Sequence, residues 1–180
     1  MQQSFGKFKE SKAYNFLLKI SPIIMILFII FIEHAPVYFS YFSFIRPQIS
    51  LIVVFFWSVY FPESLGIFSV FLLGLLSDLL FNSVLGLSAF LFLLMYVLLS
   101  EYKNFLTNRS FSFVYVIFSF VMFCASLIKY LIMTIENNSL PPLMQEVVSY
   151  AMIMCFYPFF VYFLGKFNMY LIGRSINVDK

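Results

Sequence analysis

The stretch LIVVFFWSVYF, residues 51–61, carries no charge and does not alternate between apolar and polar positions. IIMILFIIFI, residues 23–32, reads the same way. A half-buried strand alternates with period two, and a membrane barrel strand does so over about 10 residues. Continuous apolar runs of this length are helices. The whole chain has the same character. Its 180 residues are 63% hydrophobic and only 11% charged, and the mean hydropathy is +0.98. A soluble domain is roughly 45–50% apolar and about 25% charged. The solvent for this chain is therefore lipid, where every backbone N–H and C=O must be paired internally. The expected fold class is an all-α integral membrane protein.

A membrane span needs about 20 residues, and six candidates follow in order. The first is 16–35, ended by Glu33-His34-Ala35-Pro36, with His34 read as interfacial and Pro22 near its start. An aromatic stretch, Val37 to Ile45, reads as interfacial. The second span opens at Arg46-Pro47, with proline as a helix starter, and closes at Phe61-Pro62-Glu63. The third is 66–81, a turn occupies 82–86, and the fourth is 87–99. Residues 101–110 read as a polar loop, 111–135 as the fifth span, the breaker-rich 137–142 as a loop, and 147–167 as the sixth span. Spans two to four are short for a standard bilayer. The domain reading is a Lys-rich tail over 1–15, one membrane domain over 16–172, and a tail over 173–180.

Lysine and arginine set the orientation, because they gather in cytoplasmic loops. With the N-terminus inside, Lys7, Lys9, Lys12, Lys19, Lys103, Arg109, Lys166, Arg174 and Lys180 are cytoplasmic, and only Arg46 is outside. Glu33, Glu136 and Glu146 fall on the outside. The expectation is N-in, C-in, with both termini cytoplasmic.

The third span carries the most informative polar residue. In Gly74-Leu75-Leu76-Ser77-Asp78-Leu79-Leu80, the aspartate costs about 2.5–3.5 kcal/mol at a span centre on insertion scales. At 100° per residue, Gly66, Val70, Gly74, Ser77, Asp78 and Phe81 share one face. Small residues there suit close helix packing or partner docking. An Asp78 that simply reaches water at the turn is the plainer alternative. Lys129, in the fifth span, either snorkels to the headgroups or forms an intramembrane ion pair with Asp78 at similar depth.

Catalytic and metal chemistry find little support. There is one His, and Cys124 and Cys155 lie in separate runs, read as buried free thiols. No Gly-x-Ser-x-Gly, His-Glu-x-x-His or P-loop pattern occurs. The 27 Phe and 12 Tyr read as codon bias and interface anchoring rather than a ligand cage. No enzyme activity, cofactor, metal or nucleic-acid partner is expected.

The ordered set Arg46-Pro47, Trp57 and Tyr60, Pro62, Gly66, Gly74-Leu75-Leu76-Ser77-Asp78, and Leu85-Gly86 resembles the MreD family of rod shape-determining proteins. Gln48 stands where that family commonly has Asp or Asn. The resemblance implies a non-enzymatic scaffold of the bacterial cell-elongation complex, which steers lateral peptidoglycan synthesis. Its partners would be MreC directly, and MreB, RodA and a penicillin-binding transpeptidase in the wider complex, with self-association open. It also implies a likeness in fold to the substrate-binding S components of energy-coupling vitamin transporters. That sets the alternative, a small-molecule (vitamin) binding subunit. The candidate helix-packing or partner residues are Pro62, Gly66, Gly74, Asp78, Leu85 and Gly86. Pro62, Leu85 and Gly86 are expected to shape turns, and Gly66 and Gly74 to permit close helix contact.

Overall fold

The computed structural model describes residues 12–34, 47–81, 84–137 and 142–178. The aromatic stretch 37–45, the first eleven residues, Asn82, Ser83 and the loop 138–141 lie outside the described residues. Among the described residues there are seven helices and no strand: α1 (Lys12–His34), α2 (Ser50–Tyr60), α3 (Ile67–Phe81), α4 (Leu87–Glu101), α5 (Lys103–Thr107), α6 (Phe111–Asn137) and α7 (Leu143–Val178). A 3-10 turn, Pro62–Ser64, follows α2.

Six of the seven fall on the six stretches expected as spans. Within α6 and α7, the segments Phe111–Glu136 and Leu143–Phe167 are long and apolar enough to cross a membrane by length and composition. The other apolar helices are shorter: at 1.5 Å per residue, α2 rises about 16 Å and α3 and α4 about 22 Å each. Three boundaries differ from the sequence reading. The polar loop at 101–110 contains α5, because Leu106 is buried against the bundle and anchors a turn of helix there. α7 begins at Leu143 and continues past 172 through Val178, with Pro158 inside it. Pro22 lies well inside α1 rather than at its start. Cys155 is exposed and Cys124 half-buried, so the expectation of buried thiols fails for Cys155, which lies on an outward face of α7.

α2 is the hub. Every residue from Ser50 to Val59 is buried, as expected of a helix that is apolar all round. α1 and α4 pack on it and on α3, and α5 and α7 also touch it. α6 packs mainly on α7. Aromatic rings join these last two helices to the hub. Phe118 stacks on Tyr157 with centroids 3.9 Å apart, and Phe55 meets Phe118 edge-on at 4.9 Å.

The turn between α2 and α3 is built by proline. Pro62 sits at the first position of the 3-10 turn and is buried, where its missing N–H costs nothing. The Tyr96 hydroxyl of α4 reaches the carbonyls of Leu65 (2.6 Å) and Pro62 (3.1 Å), tying that turn to the bundle. At the α5 end, the Arg109 guanidinium lies over Phe105 at 4.6 Å and Phe113 at 5.5 Å.

Candidate functional site

The polar chemistry concentrates where α2, α4 and α7 begin. A helix start leaves its first N–H groups without intrahelical partners, and in lipid each such group costs several kcal/mol. Asp78, in the last turn of α3, meets that need for α4. Its carboxyl group is fully buried. It accepts hydrogen bonds from the amides of Gly86 (2.9 Å), Ser88 (2.9 and 3.1 Å) and Ala89 (3.4 Å).

Two glycines make that reach possible. Gly86 has φ = +94°, a left-handed conformation that side chains disfavour, and it turns the chain directly into α4. Gly74 lets the helices touch backbone to backbone: a Cβ there would lie 2.4 Å from Ala89 Cα and 2.7 Å from Ala89 N. The small-residue face of α3 is thus spent inside the chain, on α4. The expected close contact at Gly66 is not found. That residue is exposed, and a Cβ there would meet only Ser69 Oγ, at 3.7 Å. Leu85 is 66% exposed at the turn.

Sequence reading left a second device of the same kind unnoticed. Glu33, in the last turn of α1, accepts a hydrogen bond from the amide of Ser50, the first residue of α2. The starts of α2 and α4 are joined as well, since Gln48 Nε2 donates to Ser88 Oγ at 3.0 Å. The signal for these contacts is simple. Each acid stands in the last turn of one helix, and the next helix starts without a capping side chain of its own.

The Asp78–Lys129 ion pair gives way to different partners. Asp78 points at the start of α4, whereas Lys129, on α6, faces α7, where its Nζ lies 3.8 Å from Glu146 Oε1. Both side chains are about three-quarters buried, at 25% and 22% exposure. Sequence reading placed Glu146 outside as a loop charge. Its position in the first turn of α7 brings it within reach of the lysine stem.

The pair lines a cleft between α2, α4, α6 and α7. Gln48, Ser126, Ser149 and Tyr150 add polar groups to its wall, over an apolar floor that includes Leu51, Leu91 and Ile153. The cleft is partly open to the surroundings, and its cavity volume is about 20 Å³. Ser119 and Tyr150 exchange a 2.6 Å hydroxyl contact nearby. Among the described residues, no group of three or more His, Cys, Asp or Glu side chains is placed to hold a metal ion.

Comparison with known families bears on this arrangement. The family model described as rod shape-determining protein MreD matches residues 14–167, most of the chain. No curated protein and no solved structure matches it.

Proposed function

Because the chain belongs to the MreD family and so to the machinery of rod shape determination, we propose that it is a non-enzymatic membrane scaffold of the cell-elongation complex, acting beside MreC. Six spans with both termini in the cytoplasm complete the reading. The observation that carries it is the uneven covering of the helices. α2 is wrapped on all sides, whereas the helices around it leave large apolar side chains uncovered, among them Phe28 (62%) on α1, Phe68 (73%) on α3, and Phe120 (67%), Ile135 (76%) and Phe159 (65%) on α6 and α7. A bundle with a sealed hub and an open apolar perimeter suits a protein that offers helix faces to other membrane helices. Affinity purification of the tagged chain from its native membrane in mild detergent, with mass spectrometry, tests it. Recovery of MreC, with RodA or its transpeptidase behind it, is the expected result. Its absence beside ATPase subunits of a transporter would overturn it.

The cleft favours a second reading, a small-molecule binding subunit. Polar groups converging over an apolar floor are the usual construction of a ligand site.

A further inference from the structure

The geometry of the Lys129–Glu146 pair narrows what the cleft would hold, and this inference rests on the second reading only in treating the cleft as a ligand site. A charge-assisted hydrogen bond between an ammonium and a carboxylate is about 2.7–2.9 Å long. At 3.8 Å the two groups face each other beyond that distance. Both are largely withdrawn from water, yet the pair leaves hydrogen-bonding capacity unspent on each: an ammonium has three donors and a carboxylate about four acceptor positions. A guest with one charge would gain from one of them and be repelled by the other. A guest carrying both signs would gain from both.

We propose that this cleft binds a zwitterion: a primary ammonium held close to a phosphate or carboxylate. The anion of the guest takes Lys129, and its ammonium donates to Glu146. Ser126, Ser149 and the amide of Gln48 line the same wall and supply neutral partners. The enclosed part of the cleft has room for about one water molecule. The guest therefore sits at the mouth, with any larger portion lying outside along the helices. Phosphatidylethanolamine, whose headgroup is a phosphate linked to a primary ammonium, and a free zwitterion such as phosphoethanolamine share this chemistry. Phosphatidylglycerol lacks the ammonium. Phosphatidylcholine has a quaternary nitrogen with no N–H to donate.

The test uses the purified full chain in nonionic detergent, with the thermal midpoint read against added lipid. Phosphatidylethanolamine is expected to raise the midpoint saturably by several degrees, phosphatidylcholine by less, and phosphatidylglycerol not at all. Lys129→Met and Glu146→Gln are expected to melt near the wild type without lipid and to lose the shift. If either fails to fold, Ser126→Leu fills the cleft and leaves the pair intact, and it too is expected to lose the shift. A saturable shift with soluble phosphoethanolamine, with no lipid added, also supports the proposal and assigns the guest to the free pool. Equal shifts with all three lipids, or a full shift in the variants, would overturn it. A shift with biotin, which has no ammonium, and none with either ethanolamine compound would overturn the zwitterion while leaving the binding-subunit reading standing. No shift with any of them would remove both.

Discussion

The α3–α4 and α6–α7 hairpins solve the same problem, two apolar helices running back to back, by opposite means. α3 and α4 meet through their backbones: Gly74 lies against Ala89, and Asp78 satisfies the amides that open α4. α6 and α7 meet through large side chains: the Phe118–Tyr157 stack, the Ser119–Tyr150 hydroxyl contact and the Lys129–Glu146 pair. Backbone contact leaves no slack, because a main chain cannot rotate out of the way. Side-chain contact is adjustable, because rotamers shift at small cost. The first hairpin is thus the fixed part and the second the adjustable one.

The largest effect is expected where that slack is least. Gly74→Val would put side-chain carbons into the Ala89 backbone and force α3 and α4 apart, which also withdraws Asp78 from its amides. Overpacking of this kind costs about 3 kcal/mol, and the thermal midpoint and the amount of protein in the membrane are expected to fall together. The matched change in the other hairpin is Gly165→Ala in α7, where a Cβ meets nothing within 4 Å. It is expected to be neutral or to stabilise by up to about 1 kcal/mol, from the helix preference of alanine over glycine. Equal damage from both changes would break the comparison.

Asp78 comes next. Asp78→Ala leaves the first amides of α4 without their acceptor in a buried site, a loss of about 2 kcal/mol on the scale of strong helix caps. Asp78→Asn keeps one oxygen and is expected to lose about half as much. Reversible unfolding of the two variants in mixed detergent micelles checks the order. An Asn variant as damaged as the Ala variant would mean that the second carboxyl oxygen matters as much as the first.

How far these two regions could be read in advance follows from the same contrast. The face Val70, Gly74, Ser77 and Asp78 was legible because helical period places those residues together, and Val70, Ser77 and Asp78 are fully buried. Extending it to Gly66 went a turn too far, since Gly66 precedes α3 and contributes its carbonyl to Val70 N–H. What the face packs against was not legible. Depth alone suggested Lys129 for Asp78, but a carboxyl group next to an uncapped helix start has closer donors in the main chain. Glu33 and Glu146 are read in the sequence by the side of the membrane they occupy, and Gln48 only as a departure from the family pattern, not by what begins beside them. The α5 turn was missed because one buried side chain, Leu106, decides it, and a single apolar residue in a polar stretch sets no period.

The Lys129–Glu146 pair sharpens the comparison from its adjustable side. Removing one partner by Lys129→Met is expected to cost about 1 kcal/mol or less without lipid, in the range of loosely held, partly exposed pairs. A loss as large as that of Asp78→Ala, measured in the same micelles, would make the second hairpin as rigidly specified as the first.

The smallest effect is expected at the opposite end of the bundle, where Lys103 of α5 bonds Glu63 of the α2–α3 turn at 2.6 Å. The ammonium holds the Glu63 carboxyl below its ordinary 4.5, chiefly through that hydrogen bond. The sign follows from linkage: a folded-state pKa below the unfolded one adds stability that is present in full above about 4.5 and fades as the pH falls through the folded value. Glu63 is 86% exposed on its side chain, so water and salt screen the pair and the contribution is slight. Glu63→Gln is therefore expected to leave the midpoint at neutral pH nearly unchanged, and to flatten what acid dependence the wild type has below pH 4.5. Wild-type and variant melting curves between neutral pH and pH 3 check this. A large loss at neutral pH would mean that α5 is clamped to the turn as firmly as α4 is to α3, and the contrast between fixed and adjustable parts would then have to be drawn at a different place in the chain.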